Sequence, residues 1–136
     1  MALWNAKGEL ALGDGLTLRP HMERAALTTA LPTLAIDESV ADPIALLPEQ
    51  TVEGGALAPV CFFHGARLHA VELTVTRVGQ RRGTAEQQRA LLFALACAQD
   101  PAPDTRRPVV LRCRFGTAAI STDPRTGTAL MRLTYR

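Results

Sequence analysis

A chain of 136 residues, 47% hydrophobic and 21% charged, is long enough for one domain with a sizeable core and too apolar for a disordered segment. No apolar run approaches the ~18 residues a helix needs to span a bilayer, so no membrane partner is expected. Aromatics make up only 4%, which leaves Leu, Val and Ala to build the interior.

The net charge of +2 hides an asymmetry. Residues 1–60 carry eight acids against Lys7, Arg19 and Arg24, a balance of −5, whereas residues 61–136 carry twelve arginines against five acids, a balance of +7. The three cysteines, Cys61, Cys97 and Cys113, are widely spaced in apolar surroundings. An odd number without paired spacing argues for small buried thiols in a reducing compartment and against a disulfide framework. Met1 to Leu12 lacks the charged-then-apolar order of a secretory signal, and the expected address is the cytoplasm.

Near the start, Glu9–Leu12 and Leu16–Leu18 flank Gly13-Asp14-Gly15 and predict a hairpin, the glycines supplying the positive φ of a tight reversal. Pro20 suits the first position of a helix; Met22, Ala26 and Ala30 recur at helical spacing, and Pro32 marks its end. Residues 31–59 then lose periodicity, holding four prolines, Gly54-Gly55 and five acids without one basic residue. So long a stretch without structure is uncommon in a compact domain. Its aliphatics, Ile36, Val40, Ile44, Leu46 and Leu47, predict that it drapes over the core.

Ala58–Phe63 and Leu68–Thr76 predict a second hairpin about the two-residue turn Gly65-Ala66. That register sets Phe63 opposite Leu68, Val60 opposite Val71 and Ala58 opposite Leu73. Thr84 and Gln87 form a capping box ahead of a helix reaching to Gln99, which Asp100–Asp104 stops. Leu91, Leu95 and Ala98 make its inner stripe, while Phe93, Ala90 and Cys97 fall nearly opposite. A helix apolar on its back asks for a covering layer or a partner.

Val109–Ser121 reads as one long strand, with Val109, Leu111, Cys113 and Phe115 on one face and Arg112 and Arg114 on the other. Asp123-Pro124-Arg125-Thr126-Gly127 is a turn, proline fixing φ early and glycine taking the left-handed position. Counting outward from Asp123 opposite Thr128 pairs Ile120 with Met131, Ala118 with Leu133 and Gly116 with Tyr135. Core positions are therefore even near this turn and odd before Phe115, so a β-bulge is expected at Phe115-Gly116-Thr117. Ala129, Met131, Leu133 and Tyr135 face the core; Arg132 and Arg136 face away with Arg112 and Arg114.

Phosphate loops, dinucleotide fingerprints, HExxH, CxxC and GxSxG are all missing from the sequence, so neither a cofactor nor a metal is implied. His64 and His69 flank one tight turn, with only Cys61 near as a third ligand. Asp37-Glu38 are adjacent in a loop, not set across a cleft, whereas acid–base work needs carboxylates in different surroundings.

These observations predict a single α+β domain over 1–136, an antiparallel sheet of about five to seven strands with two helices packed on one face. The leading expectation for function is a non-enzymatic interaction protein, immunity-, adaptor- or chaperone-like, that binds a protein partner or itself. Its surface would be Arg112, Arg114, Arg132 and Arg136 on the open sheet face, or Phe93 and Cys97 on the back of the second helix. The alternative is a small-molecule site or enzyme between the helices and residues 31–59, using His64, His69 and Asp37. Nucleic-acid binding through the arginines is the weakest reading, because no exposed aromatics are interleaved for stacking. Two bland accounts compete with a binding surface: a solvated sheet face, or arginines neutralised by the acidic 37–53 stretch of the same chain.

Overall fold

The computed structural model describes residues 4–12, 15–37, 39–96 and 109–136. Its elements in chain order are β1 (Leu10–Ala11), β2 (Thr17–Leu18), α1 (Arg24–Ala30), β3 (Ile44–Leu46), β4 (Gln50–Val52), β5 (Gly55–His64), β6 (Arg67–Val78), α2 (Ala85–Ala96), β7 (Val109–Cys113), β8 (Gly116–Asp123) and β9 (Thr128–Tyr135). The chain is α+β. A seven-stranded antiparallel sheet runs β3-β5-β6-β9-β8-β7, with β4 also on β5, and β1 and β2 form a separate two-stranded ribbon.

The closing hairpin follows from its turn chemistry. Asp123 Oδ1 accepts from the Arg125 amide at 2.9 Å, Gly127 N donates to Asp123 O at 2.8 Å, and Gly127 sits at φ 68°. The register is the expected one, Ile120 with Met131, Ala118 with Leu133 and Gly116 with Tyr135. Ala129, Met131, Leu133 and Tyr135 are buried in one cluster with Ala118 and Ile120 of β8, Val71, Leu73 and Val75 of β6, and Leu57, Cys61 and Phe63 of β5.

The expected bulge at 115–117 is not there. Val109–Ser121 is two strands, with Cys113 paired to Gly116 and Arg114-Phe115 forming the turn between them. A two-residue turn pairs odd positions with even ones, which is what switches the parity of the core set. Gly116, at φ 151°, absorbs the reversal, and a Cβ there would lie 1.9 Å from Thr134 O. A bulge does exist one hairpin earlier. Phe63 pairs with Leu68 as expected, but Phe62 pairs with Ala70, leaving His69 as the extra residue. The pairs from Phe62 to Leu57 move by one, so Val71 meets Cys61 and not Val60, and Leu73 meets Pro59 and not Ala58; a second shift at Thr76 sets Ala56 against Arg77.

Two further expectations need correction. The first helix begins at Arg24, not Pro20, and its buried residue is Leu27, with Ala26 and Ala30 exposed. Residues 21–24 instead bond to the start of β6: His21 N donates to Leu68 O, Leu68 N to Met22 O and Arg24 N to Ala66 O. The 31–59 stretch drapes only in part: Ile36 packs half-buried against the core, whereas residues 44–46 and 50–52 supply β3 and β4 at a sheet edge. Its alternation buries Ala45 and Leu47 and leaves Ile44, Leu46 and the preceding Val40 exposed.

The capping box forms as read, Gln87 N to Thr84 Oγ1 at 3.1 Å and Thr84 N to Gln87 Oε1 at 2.9 Å. Helix α2 contacts β6, β8 and β9, and Leu91, Leu92, Phe93 and Leu95 join the common core, as does Leu27 of α1. Gln88, fully buried, ties the helix to the sheet: its Oε1 accepts from Ala129 N at 2.8 Å and its Nε2 donates to Arg82 O at 3.2 Å. The helix end expected at Gln99, the Asp100–Asp104 stop, the Gly13-Asp14 turn residues, Glu38, Arg106 and Arg107 lie outside the described residues.

Candidate functional site

The register places the outward residues of the large sheet in rows that cross all six strands of its main path. One row reads Leu46, Val60, Glu72, Arg132, Ala119, Val110; the next reads Ile44, Phe62, Ala70, Thr134, Thr117, Arg112. A third joins Ala58, Thr74, Leu130 and Ser121. Half of this face is apolar. Ile44, Leu46 and Val110 are 51%, 70% and 59% exposed, and Val60, Phe62 and Leu130 are half-buried.

At its centre one ion pair replaces the apolar side chains. Arg132 Nη1 lies 3.1 Å from Glu72 Oε1, with side chains 35% and 27% exposed. The Arg132 guanidinium also sits over the Phe62 ring, 4.6 Å from its centroid. Arg132 is thus held against the sheet by Glu72 and Phe62, about a third of its side chain still in water. Arg112 takes the edge of the same face, Arg114 the exposed β7–β8 turn, and Arg136 the position after β9, where its amide donates to Phe115 O at 2.7 Å. The Arg136 carbonyl accepts from His21 Nε2. The four arginines therefore do not form one cluster: two lie on the outer face and two at or near its end.

Arg82 before α2 and Arg77 near the end of β6 are occupied locally. Arg82 Nη2 donates to Thr126 O at 2.6 Å and Arg77 Nη1 to Gly79 O at 2.8 Å, tying the loop before α2 to the β8–β9 turn and to itself. The acidic segment does not lie over β7, because β3 and β4 join the sheet at its other edge.

Phe93 is only 5% exposed and belongs to the core; the exposed positions of α2 are Glu86, Gln87, Ala90 and Ala94. Cys97 lies outside the described residues. The bulge at His69 brings its ring to 6.0 Å from that of His64, and His64 Nδ1 is 3.5 Å from Asp42, all on the surface. Asp37 is turned to its own loop. The hydroxyl and then the amide of Ser39 bond its carboxylate and hold it below the usual range. A groove of about 310 Å³ does run between residues 31–35 and β3, lined by Leu31, Leu34, Leu46 and Leu47, but His64, His69 and Asp37 do not line it.

Cys61 is buried, and loss of solvent pushes its thiol up to about 12; burial and then the neighbouring Cys61 push the Tyr135 hydroxyl up as well. The Cys61 thiol is free.

The outward apolar set of β3 and β5 was missed by reading alternation alone. Its signal was present in Ala58-Pro59-Val60-Cys61-Phe62-Phe63, apolar at both parities, the pattern of a strand covered on two sides. No family model, curated protein or solved structure matches this chain.

Proposed function

We propose that this chain is a small non-enzymatic protein-interaction module of the cytoplasm, immunity-, adaptor- or chaperone-like, whose binding surface is the outer face of the seven-stranded sheet. In this reading both helices lie on the Leu73–Met131 side and the outer face is left for a partner. The observation that carries it is the apolar character of that face: Ile44, Leu46 and Val110 in solvent, with Phe62 and Val60 between them. A sheet face meant for water alternates with polar side chains, whereas β5 does not. Arg112 and Arg114 then form part of a charged rim around an apolar centre, the arrangement common to protein interfaces.

The test is retention of a protein from host extract on the immobilised chain, compared with Leu46→Glu and Val110→Glu. Both side chains are exposed, so the substitutions leave the core intact. Loss of the retained protein with either variant is expected. Retention unchanged by both would remove the outer face as the site.

A further inference from the structure

We infer that the partner of the outer face is a second copy of this chain, packed sheet to sheet about a two-fold axis that runs along the seam between β6 and β9. This deepens the proposed reading and rests on it. The argument is the symmetry of the row through Glu72. Three residues stand on each side of the seam, Leu46, Val60 and Glu72 against Arg132, Ala119 and Val110. A two-fold axis parallel to the strands lays each position over its mirror position in the other copy. Glu72 then meets Arg132 of the second copy, Val60 meets Ala119, and Leu46 meets Val110. In the neighbouring row Ala70 meets Thr134 and Phe62 meets Thr117; in the third, Thr74 meets Leu130.

Charge therefore pairs with opposite charge at the seam and apolar with apolar or small beside it, while at the edge of the neighbouring row Ile44 falls against Arg112. No like charges meet along these rows. The internal 3.1 Å pair becomes an alternating ring of two carboxylates and two guanidinium groups at the middle of the interface. Sheet twist rotates stacked sheets by ~30°, so this register is tightest near the seam and drifts toward β3 and β7. The size also suits. Six strands at ~4.8 Å spacing, eight or more residues long along most of the face, cover about 600 Å² in plan, the scale of one side of a standard interface.

Charge reversal distinguishes this arrangement from any other self-association. Glu72→Arg places four cations at the centre of a homodimer, and Arg132→Glu places four carboxylates there. Each variant alone should sediment as a monomer, its self-association weakened by about a hundredfold or more. An equimolar mixture should recover the dimer, because one chain then presents two guanidinium groups at the seam and the other presents two carboxylates. Recovery on mixing cannot come from two misfolded chains, and circular dichroism of each variant checks the fold directly.

Wild-type dimers, monomeric single variants and a dimeric mixture support the inference. Dimers that survive both reversals, or a mixture that stays monomeric, overturn it by placing self-association elsewhere. A wild type that is monomeric throughout a dilution series also overturns it. The broader reading then stands if the immobilised chain still retains an unlike protein that Leu46→Glu releases, and falls with it if not.

Discussion

Replacing Gln88 by Leu tests whether α2 is pinned to the sheet by one amide. The two side chains are close in volume, so little cavity or overpacking cost enters. What is lost is hydrogen bonding: Ala129 N, in a residue with no solvent exposure, loses its 2.8 Å acceptor, and Arg82 O loses its 3.2 Å donor. An orphaned buried polar group costs about 1–3 kcal/mol. Arg82 is exposed, so its carbonyl can turn to water and only the Ala129 amide bears the full cost. The expected loss is ~2–3 kcal/mol, or a fall in Tm of roughly 10 °C for a chain of this length. Urea titration followed by far-ultraviolet circular dichroism measures it, with an unchanged slope showing that the unfolded state is not responsible. Gln88→Glu adds a sign. Burial raises the carboxyl's pKa above that of the unfolded chain, and the ionised form keeps the acceptor but loses the donor to Arg82. Protonation restores the donor, so this variant should gain stability relative to wild type as pH falls. A Leu variant within ~0.5 kcal/mol of wild type, the scale of an inconsequential surface change, would refute the reasoning.

Three other outcomes follow from single sites. Gly116→Ala sets a Cβ 1.9 Å from Thr134 O at a φ of 151°, and should cost more than ~3 kcal/mol or abolish soluble expression; a loss under ~1 kcal/mol in urea titration would contradict the turn as described. Phe115→Ala removes the ring that Trp4 and Tyr135 meet edge-on at centroid distances of 6.3 and 6.0 Å; it should cost ~3 kcal/mol and shift Trp4 fluorescence to the red, and unchanged emission would place Trp4 elsewhere. Cys61 gives an alkaline signature. Its folded value of about 12 lies above the ordinary 9.0, so the unfolded chain ionises first and stability drains as pH rises from 9.0 toward 12. The slope contributed is ~1.4 kcal/mol per pH unit, and Cys61→Ala should flatten that part of the stability profile; a profile no flatter than wild type would show the thiol is not shielded.

How far the fold was legible depended on how many explanations each pattern admitted. Asp123 to Gly127 admitted one, because proline, aspartate and a left-handed glycine each need a particular turn position, and the register followed. The parity change near Phe115 admitted two, a bulge or a two-residue turn. Arg114-Phe115 carries none of the usual turn residues; the permissive backbone sits one place later at Gly116, so the turn was hidden. The mismatch between Leu68 and Val71, Leu73 and Val75 was the same signal in the preceding hairpin, and there it did mean a bulge. The candidate face was half legible. Alternation correctly turns Arg112 and Arg132 outward. It could not reveal that Arg132 lies on Phe62 and pairs with Glu72, since those contacts join residues 60 or more positions apart.

Because β6 and β9 are the strands through which the β3–β6 half meets the β7–β9 half, the order of assembly is constrained. Each half closes through short hairpins that zip quickly, whereas their union must first gather a long intervening stretch that includes α2. Leu73 and Met131 pair across that junction, so their meeting is expected to be the slow step. Leu73→Ala should therefore depress the refolding limb of a chevron, while changes in the outer turns accelerate unfolding. A Leu73 variant that altered only the unfolding limb would place the barrier after the halves have joined.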